Sequence, residues 1–167
     1  MPLTPPILRP FAWSDIPAIT AIYAHYVQHS TVTFDLDAPS EGAMAEKFGH
    51  ILELGHPLIV AESARAVRGY AYASTYRPRP AYRFTCEDSI YLAPDAAGQG
   101  LGGRLLAELI ARSRAQGFQQ MVGVITAGTD ASIALHAKFG FELLGTFPRL
   151  GYKFDRWLDV VHMQRAL

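Results

Sequence analysis

"YLAPDAAGQGLGGRLLAELIARS", residues 91–113, places Gly98, Gly100, Gly102 and Gly103 within six positions, directly ahead of a run with helical spacing. Glycine is poor helix material, so the cluster answers to something other than propensity. Glycines at a helix N-terminus let backbone N–H groups face a bound group, and the helix dipole favours negative charge there. No carboxylate stands between Ala96 and Ala107 to oppose it. A cofactor carrying a pyrophosphate is the natural occupant. Gly98, Gly100 and Gly103 also satisfy G-x-G-x-x-G, the dinucleotide fingerprint, which expects its first glycine at the strand end and an acid roughly 20 residues later. Here residues 94–97 intervene, and the next strand, "QQMVGVIT", ends without an acid. A phosphate P-loop needs Lys-Ser or Lys-Thr after its glycines, and none follows. A turn that merely packs a strand on a helix is the plain structural alternative.

Working outward, Ile7–Pro10 is a short strand. Ser14 caps a helix in "SDIPAITAIYAHYVQHS", where Ile16, Ile19, Ile22, Tyr23 and Tyr26 recur at helical spacing as far as His29. Residues 31–37 read as a loop or irregular extended segment. Ser40 then opens a second helix through "EGAMAEKFGHILEL", stopped at Gly55. "PLIVAES" and "VRGYAYASTY" form a hairpin about residues 64–66. "RPRPAYR" breaks the pattern with two prolines, and "FTCEDSIYL" resumes it with Phe84, Ile90 and Leu92 as core anchors. The helix after the glycines carries Leu105, Leu106, Leu109 and Ile110 and ends by Gly117. "QQMVGVIT" is a strand, Asp130 or Ser132 starts a short helix to Phe139, and "FELLGTF" and "RWLDVVHMQ" finish as strands. With 50% hydrophobic composition, no repeat, no low-complexity tract and no dividing linker, residues 1–167 read as one domain.

Lys plus Arg equals Asp plus Glu at 15 each, so no global field points to nucleic acid or an anionic membrane. Cys86 is the only cysteine, which excludes an intramolecular disulfide and any CxxC metal site. "MPLTPPILRP" lacks the basic and apolar regions of a signal peptide, and no apolar run approaches spanning length, so a cytoplasmic location is expected.

"YLAPDAAGQGLGGRLL" resembles the acetyl-CoA loop of the Gcn5-related N-acetyltransferases (GNAT), Q/R-x-x-G-x-G/A between a strand and a helix, with Gly100 and Gly102 on its glycine positions. "TVTFD", "FTCEDSIYLAP", "GTDASIALHAKFGF" and "GYKFDRWLDVVHMQ" resemble, in order and spacing, segments of the phosphinothricin and methionine-sulfone N-acetyltransferases, so the likeness covers essentially the whole chain. It implies an α/β (α+β) fold, a central mixed, mostly antiparallel sheet of about seven strands flanked by about four helices. It also implies acetyl-CoA as donor, no metal, and a homodimer. The family has Gln or Arg where Ala97 stands and Asn where Thr129 stands. Alanine keeps the backbone contact, with Gln99 nearby, whereas Thr129 lacks the paired donor and acceptor of an amide, which implies somewhat weaker cofactor binding.

Acyl transfer from a thioester to an amine needs a neutral amine, an anchored carbonyl and a proton for the departing thiolate. The resemblance assigns the base to Glu87. By strand alternation, if Phe84, Ile90 and Leu92 point to the core, Thr85, Glu87, Ser89 and Tyr91 share the opposite, cleft-facing side, while the rival acid Asp88 points away. His136 stands where the wider superfamily has a proton-donating tyrosine, and it either donates a proton or packs against the cofactor arm. The family anchors the carbonyl from a strand bulge, here residues 90–92, Ile90, Tyr91 and Leu92. The pyrophosphate then falls to Ala97, Gly98, Gln99, Gly100, Leu101 and Gly102, and the pantetheine arm to Thr129 and Ser132. A covalent route through Cys86 is disfavoured, because alternation turns it from Glu87 and no histidine adjoins it.

"STYRPRPAYRF" gathers Arg77, Arg79 and Arg83 just ahead of the base, and arginine's forked donors suit an amino-acid carboxylate. A solvated basic loop is the bland alternative. The resemblance lines the substrate pocket with Phe34, Thr75, Tyr76, Arg77, Arg83, Thr85, Cys86 and Glu87. It implies a compact L-amino acid ending in a tetrahedral polar group. Other amines, peptide N-termini, a non-catalytic acyl-CoA sensor and an NAD(P)-binding protein are the alternatives.

Overall fold

The computed structural model describes residues 6–167. Seven strands, β1 (Ile7–Pro10), β2 (Leu58–Ser63), β3 (Ala66–Thr75), β4 (Thr85–Leu92), β5 (Gln120–Thr126), β6 (Glu142–Lys153) and β7 (Arg156–Ala166), form a single sheet in the order β1-β2-β3-β4-β5-β7-β6. Four helices accompany it: α1 (Ile16–His29), α2 (Glu41–Glu53), α3 (Leu101–Ala115) and α4 (Asp130–Lys138). This is the mixed, mostly antiparallel architecture expected from the sequence.

Apolar periodicity decides what each element buries. On α3, Leu105, Leu106 and Leu109 are wholly buried, and each is worth about 1.5–3 kcal/mol relative to exposure. They meet Val60, Ala71, Cys86 and Met121 of the sheet in one core. On α2, Met44, Phe48 and Ile51 recur at helical spacing and are buried, and the Ser40 hydroxyl caps that helix by accepting from the Ala43 N–H at 3.1 Å. The β2–β3 hairpin turns through Ala64 and Arg65, both at positive φ.

The sheet carries one parallel pair, and it is short. Thr85, Cys86 and Glu87 pair with Gln120, Met121 and Val122; beyond Glu87 the two strands part. On its other edge β4 stays paired with β3 without a register break, from Thr75↔Cys86 to Gly69↔Leu92. The seam between β4 and β5 therefore opens into a wedge, bordered by the N-terminal turns of α3 and α4.

Four expectations need correction. Ser14 does not cap α1: a short 3₁₀ turn, Trp13–Asp15, precedes the helix, and the Asp15 carboxylate is held by Arg9 through two 2.8 Å bonds. Phe84 is no core anchor but half exposed, because it lies ahead of β4, where Arg83 stacks over its ring. No bulge at residues 90–92 interrupts the β3–β4 ladder; the free edge of β4 comes from its parting with β5. β6 runs on past "FELLGTF" to Lys153, accommodating two register shifts against β7. Leu143, Leu144, Phe147, Leu150, Tyr152, Phe154 and Trp157 stand exposed on or between these last two strands. Among the described residues no helix is long and apolar enough to cross a membrane.

Candidate active site

The wedge is the mouth of a cleft of about 800 Å³. At one end lies the glycine segment. Gly98 and Gly100 have φ of +75° and +76°, and a Cβ built on either would meet no atom within 4 Å. Left-handed φ is costly for any side-chain-bearing residue, and the open space beyond is where a ligand would stand. Gly100 is the N-cap of α3 and offers no side-chain cap, so the first-turn N–H groups of that helix are left for an incoming acceptor. Ala97, Gly98, Gly100, Gly102 and Gly103 line this end. Gln99 does not; its amide turns back to the Asp95 carbonyl at 3.0 Å. Leu101 is buried beneath the loop. Asp95 is engaged by Arg68 at 2.9 Å and lies outside the lining.

Along the middle run Ile90, Tyr91 and Leu92 of β4, faced by Thr129, Ser132 and Leu135 around and on α4. The unpaired edge of β4 offers backbone groups to a ligand here. Tyr26 ties α1 to the end of β4 by donating its hydroxyl to the Leu92 carbonyl at 2.7 Å.

The other end is built from side chains. Glu87 lines it. Burial, and then the neighbouring charge of Asp88, raises its pKa above the ordinary carboxylate value, while Arg77 and Lys47 oppose the rise. Asp88 points away from Glu87, as alternation requires, and meets His136: Nε2 lies 3.0 Å from Asp88 Oδ2, with both side chains almost wholly buried. His136 Nδ1 lies 2.7 Å from the Ser132 carbonyl oxygen, which can only accept, so Nδ1 carries a proton. Nε2 and a carboxylate oxygen at 3.0 Å would be two acceptors face to face unless a second proton lies between them. The pair thus holds a shared proton in the cleft wall. Burial works to lower the His136 pKa, but the hydrogen bond and charge of Asp88, with the Ser132 carbonyl, outweigh it and hold the ring above its ordinary value. Gly123 makes room for this arrangement. A Cβ there would stand 3.0 Å from His136 Cδ2, 3.2 Å from Nε2 and 3.4 Å from Asp88 Oδ1.

Phe34 and Thr33 come from the loop after α1, with Tyr72 and Ser74 from β3 and Lys47 from α2. That loop is held in place. Tyr23 donates its hydroxyl to Asp35 at 2.6 Å and shares a 2.7 Å bond with Thr33, and the buried Lys153 donates to the Thr33 carbonyl at 2.8 Å.

Of the residues expected here, Glu87, Ile90, Tyr91, Leu92, Ala97, Gly98, Gly100, Gly102, Thr129, Ser132, His136 and Phe34 line the cleft. Tyr76, Arg77, Arg83 and Thr85 do not, and Thr75 faces a smaller side pocket with Lys47 and His50. Arg77 lies over its own neighbour Tyr76, 4.4 Å from the ring centroid, and donates to the Tyr76 carbonyl. Cys86 is wholly buried on the core side, where burial pushes its thiol up to about 12, so neither a substrate contact nor a thiolate nucleophile is available there. The sequence reading missed Lys47, Tyr72, Asp88 as a partner for His136, and Gly123. Only Asp88 had a readable signal, an acid on the face opposite Glu87.

The chain matches the model of the acetyltransferase (GNAT) family over residues 20–141. It is 48% identical over 154 residues to a phosphinothricin N-acetyltransferase of Alcaligenes faecalis, covering 92% of this chain and 78% of that protein. It is 41% identical over 162 residues to an L-methionine sulfoximine/L-methionine sulfone acetyltransferase of Pseudomonas aeruginosa, covering 96% and 94%. Among solved structures, a GNAT-superfamily phosphinothricin acetyltransferase from Sinorhizobium meliloti, in complex with AcCoA, superposes with a TM-score of 0.95 at 47% identity, over 98% of this chain and 89% of that one. Sequence, sheet order and relatives agree, and this chain belongs to the GNAT acetyltransferase family.

Proposed function

We propose that the protein transfers an acetyl group from acetyl-CoA to the α-amine of a compact L-amino acid of the phosphinothricin, methionine sulfoximine or methionine sulfone kind. The observation that carries the reading is one continuous cleft with a backbone-built anion cradle at one end and a carboxylate of raised pKa, Glu87, at the other. The residues present suit the donor: open left-handed glycines, an uncapped helix N-terminus and no acid lining that end. Acetyl-CoA, when bound, supplies the acetyl group as a thioester. Gly98, Gly100 and Gly102 hold its phosphates, Thr129 and Ser132 border its arm, and the free edge of β4 orients it.

Glu87 takes the proton from the acceptor's ammonium, directly or through a water, and its raised pKa makes it a better base than a solvated carboxylate. The proton shared by His136 Nε2 and Asp88 Oδ2 is the one available to a departing sulfur. Attack is direct, within a ternary complex. The exposed apolar side chains of β6 and β7, Phe147, Leu150, Tyr152 and Trp157 among them, are candidate contacts for a second copy, and we infer a homodimer in the cytoplasm; sedimentation of the wild-type protein tests the assembly.

The test of activity is CoA thiol release from acetyl-CoA across methionine sulfone, methionine sulfoximine, phosphinothricin, the common amino acids and a short peptide. Rapid release with the sulfone-type compounds is expected. Silence across the panel with acetyl-CoA still bound would overturn the assignment in favour of another amine or an acyl-CoA sensor.

A further inference from the structure

An amino-acid acceptor brings a carboxylate into the cleft, and a carboxylate drawn out of water needs a partner of opposite charge. The arginine-rich segment ahead of β4 was the expected source. Instead, Arg77 rests on Tyr76, and Arg83 rests on Phe84 while donating to the Pro80 carbonyl. Neither lines the cleft. Among the described residues that do, Lys47 is the only lysine or arginine.

Its placement follows from α2. Met44, Phe48 and Ile51 face the core, which sets Lys47 on the flank of that stripe, leaning over the sheet. The ammonium lies 5.0 Å from the ring centroid of Tyr72 and 5.5 Å from that of Tyr23, within cation–π range. Both rings are fixed: Tyr72 and Tyr23 are buried, and the Tyr23 hydroxyl is tied to Asp35 and Thr33. Aromatic faces stabilise the charge but are weak hydrogen-bond acceptors. Among the described residues no ion pair or hydrogen bond engages the Lys47 ammonium. It is a positioned cation with its donors unspent.

The position also suits the chemistry. In an α-amino acid the amine and carboxylate share one carbon, so the cation that takes the carboxylate must stand close to the base that serves the amine. Arg77 and Lys47 both stand close enough to Glu87 for their charge to act on that carboxyl, and of the two only Lys47 lines the cleft.

We propose that Lys47 takes the α-carboxylate of the amino-acid acceptor and so makes the cleft selective for amines that carry one; the assignment rests on the acetyl-transfer reading above. Its ammonium is a compact three-donor charge and grips the carboxylate as a point charge, not as a two-pronged fork.

The experiment measures kcat and KM for methionine sulfone and for the same amine lacking its carboxylate, 3-(methylsulfonyl)propylamine, in wild-type protein, Lys47→Met and Lys47→Arg. The Met variant is expected to raise KM for methionine sulfone roughly ten- to hundredfold, the range of a hydrogen bond to a charged group. KM for acetyl-CoA and for the carboxylate-free amine should stay put, and Arg should restore most of the loss. The unchanged acetyl-CoA value shows that the fold is intact. Active wild-type protein whose Met variant loses nothing, or loses equally on both amines, would overturn the assignment alone. So would a selective loss in Arg77→Met with none at Lys47. Wild-type protein that acetylates no amino acid would overturn this inference and the functional reading together.

Discussion

At the Gly98–Gly100 end of the cleft the chain offers backbone, with open space where side chains would stand. At the Glu87 end, α2, β3, β4, β5, α4 and the loop after α1 each send in a side chain or, at Gly123, withhold one. The first end is a local construction and, in the proposed reaction, recognises a group common to every turnover. The second is assembled from residues far apart in the chain and, in the same proposal, decides which amine is accepted and where its proton goes. A change at one end should therefore be read in the kinetics of one substrate only, and that separation can be tested.

The largest effect is expected at the side-chain end. Glu87→Gln should lower turnover roughly 10²- to 10⁴-fold near neutral pH, the range for loss of a general base, with KM for acetyl-CoA little changed. The same substitution should leave the protein at least as stable. A carboxyl whose folded pKa is raised opposes folding while ionised, an opposition relieved as pH falls through the folded value. Thermal denaturation at neutral pH checks this; a lower Tm would mean that the activity loss reports a damaged fold.

Asp88→Asn comes next and asks whether the His136 pair is electrostatic. His136 has a folded pKa above its ordinary value, so its stabilising contribution is complete below about pH 6.5 and is lost as pH rises through the folded value. The stability gap between wild type and Asp88→Asn should be about 1–3 kcal/mol on the acid side and narrow as the solution becomes alkaline. A gap independent of pH would show a packing role instead.

The smallest effect belongs to the backbone end. Gly100→Ala places a Cβ on a residue at φ +76°, costing about 1–2 kcal/mol, and the kinetics should show roughly a tenfold rise in KM for acetyl-CoA with the amine KM unmoved. An equal rise for both substrates would break the division between the two ends.

The same division explains what the sequence made legible. Four glycines in six positions at the start of a helix announce a backbone site because the signal is contiguous, and the order of strands and helices followed from periodicities within single segments. Phe84 misled because it sits one residue ahead of β4, where alternation no longer governs a side chain. The arginines of "STYRPRPAYRF" misled for a related reason: charge in sequence says nothing of direction, and Arg77 and Arg83 lie over neighbouring rings outside the cleft lining. Lys47 looked like any solvated helix lysine, since its aromatic shelf comes from α1 and β3. Gly123, inside a strand pattern, gave no hint that the gap it leaves belongs to a histidine 13 residues on.

The parting of β4 from β5 has a mechanical consequence. The sheet is two wings, β1-β2-β3-β4 and β5-β7-β6, and among the described residues the ladder that joins them runs through Thr85, Cys86 and Glu87. A ligand lying along the free edge of β4 occupies the place where the missing rungs would be, and becomes a splint between the wings. Anything that binds the folded chain alone stabilises it by mass action; here that gain would stiffen the seam beside Glu87, so in the proposed reaction a bound donor would also brace Glu87 against the wing that carries the rest of the site.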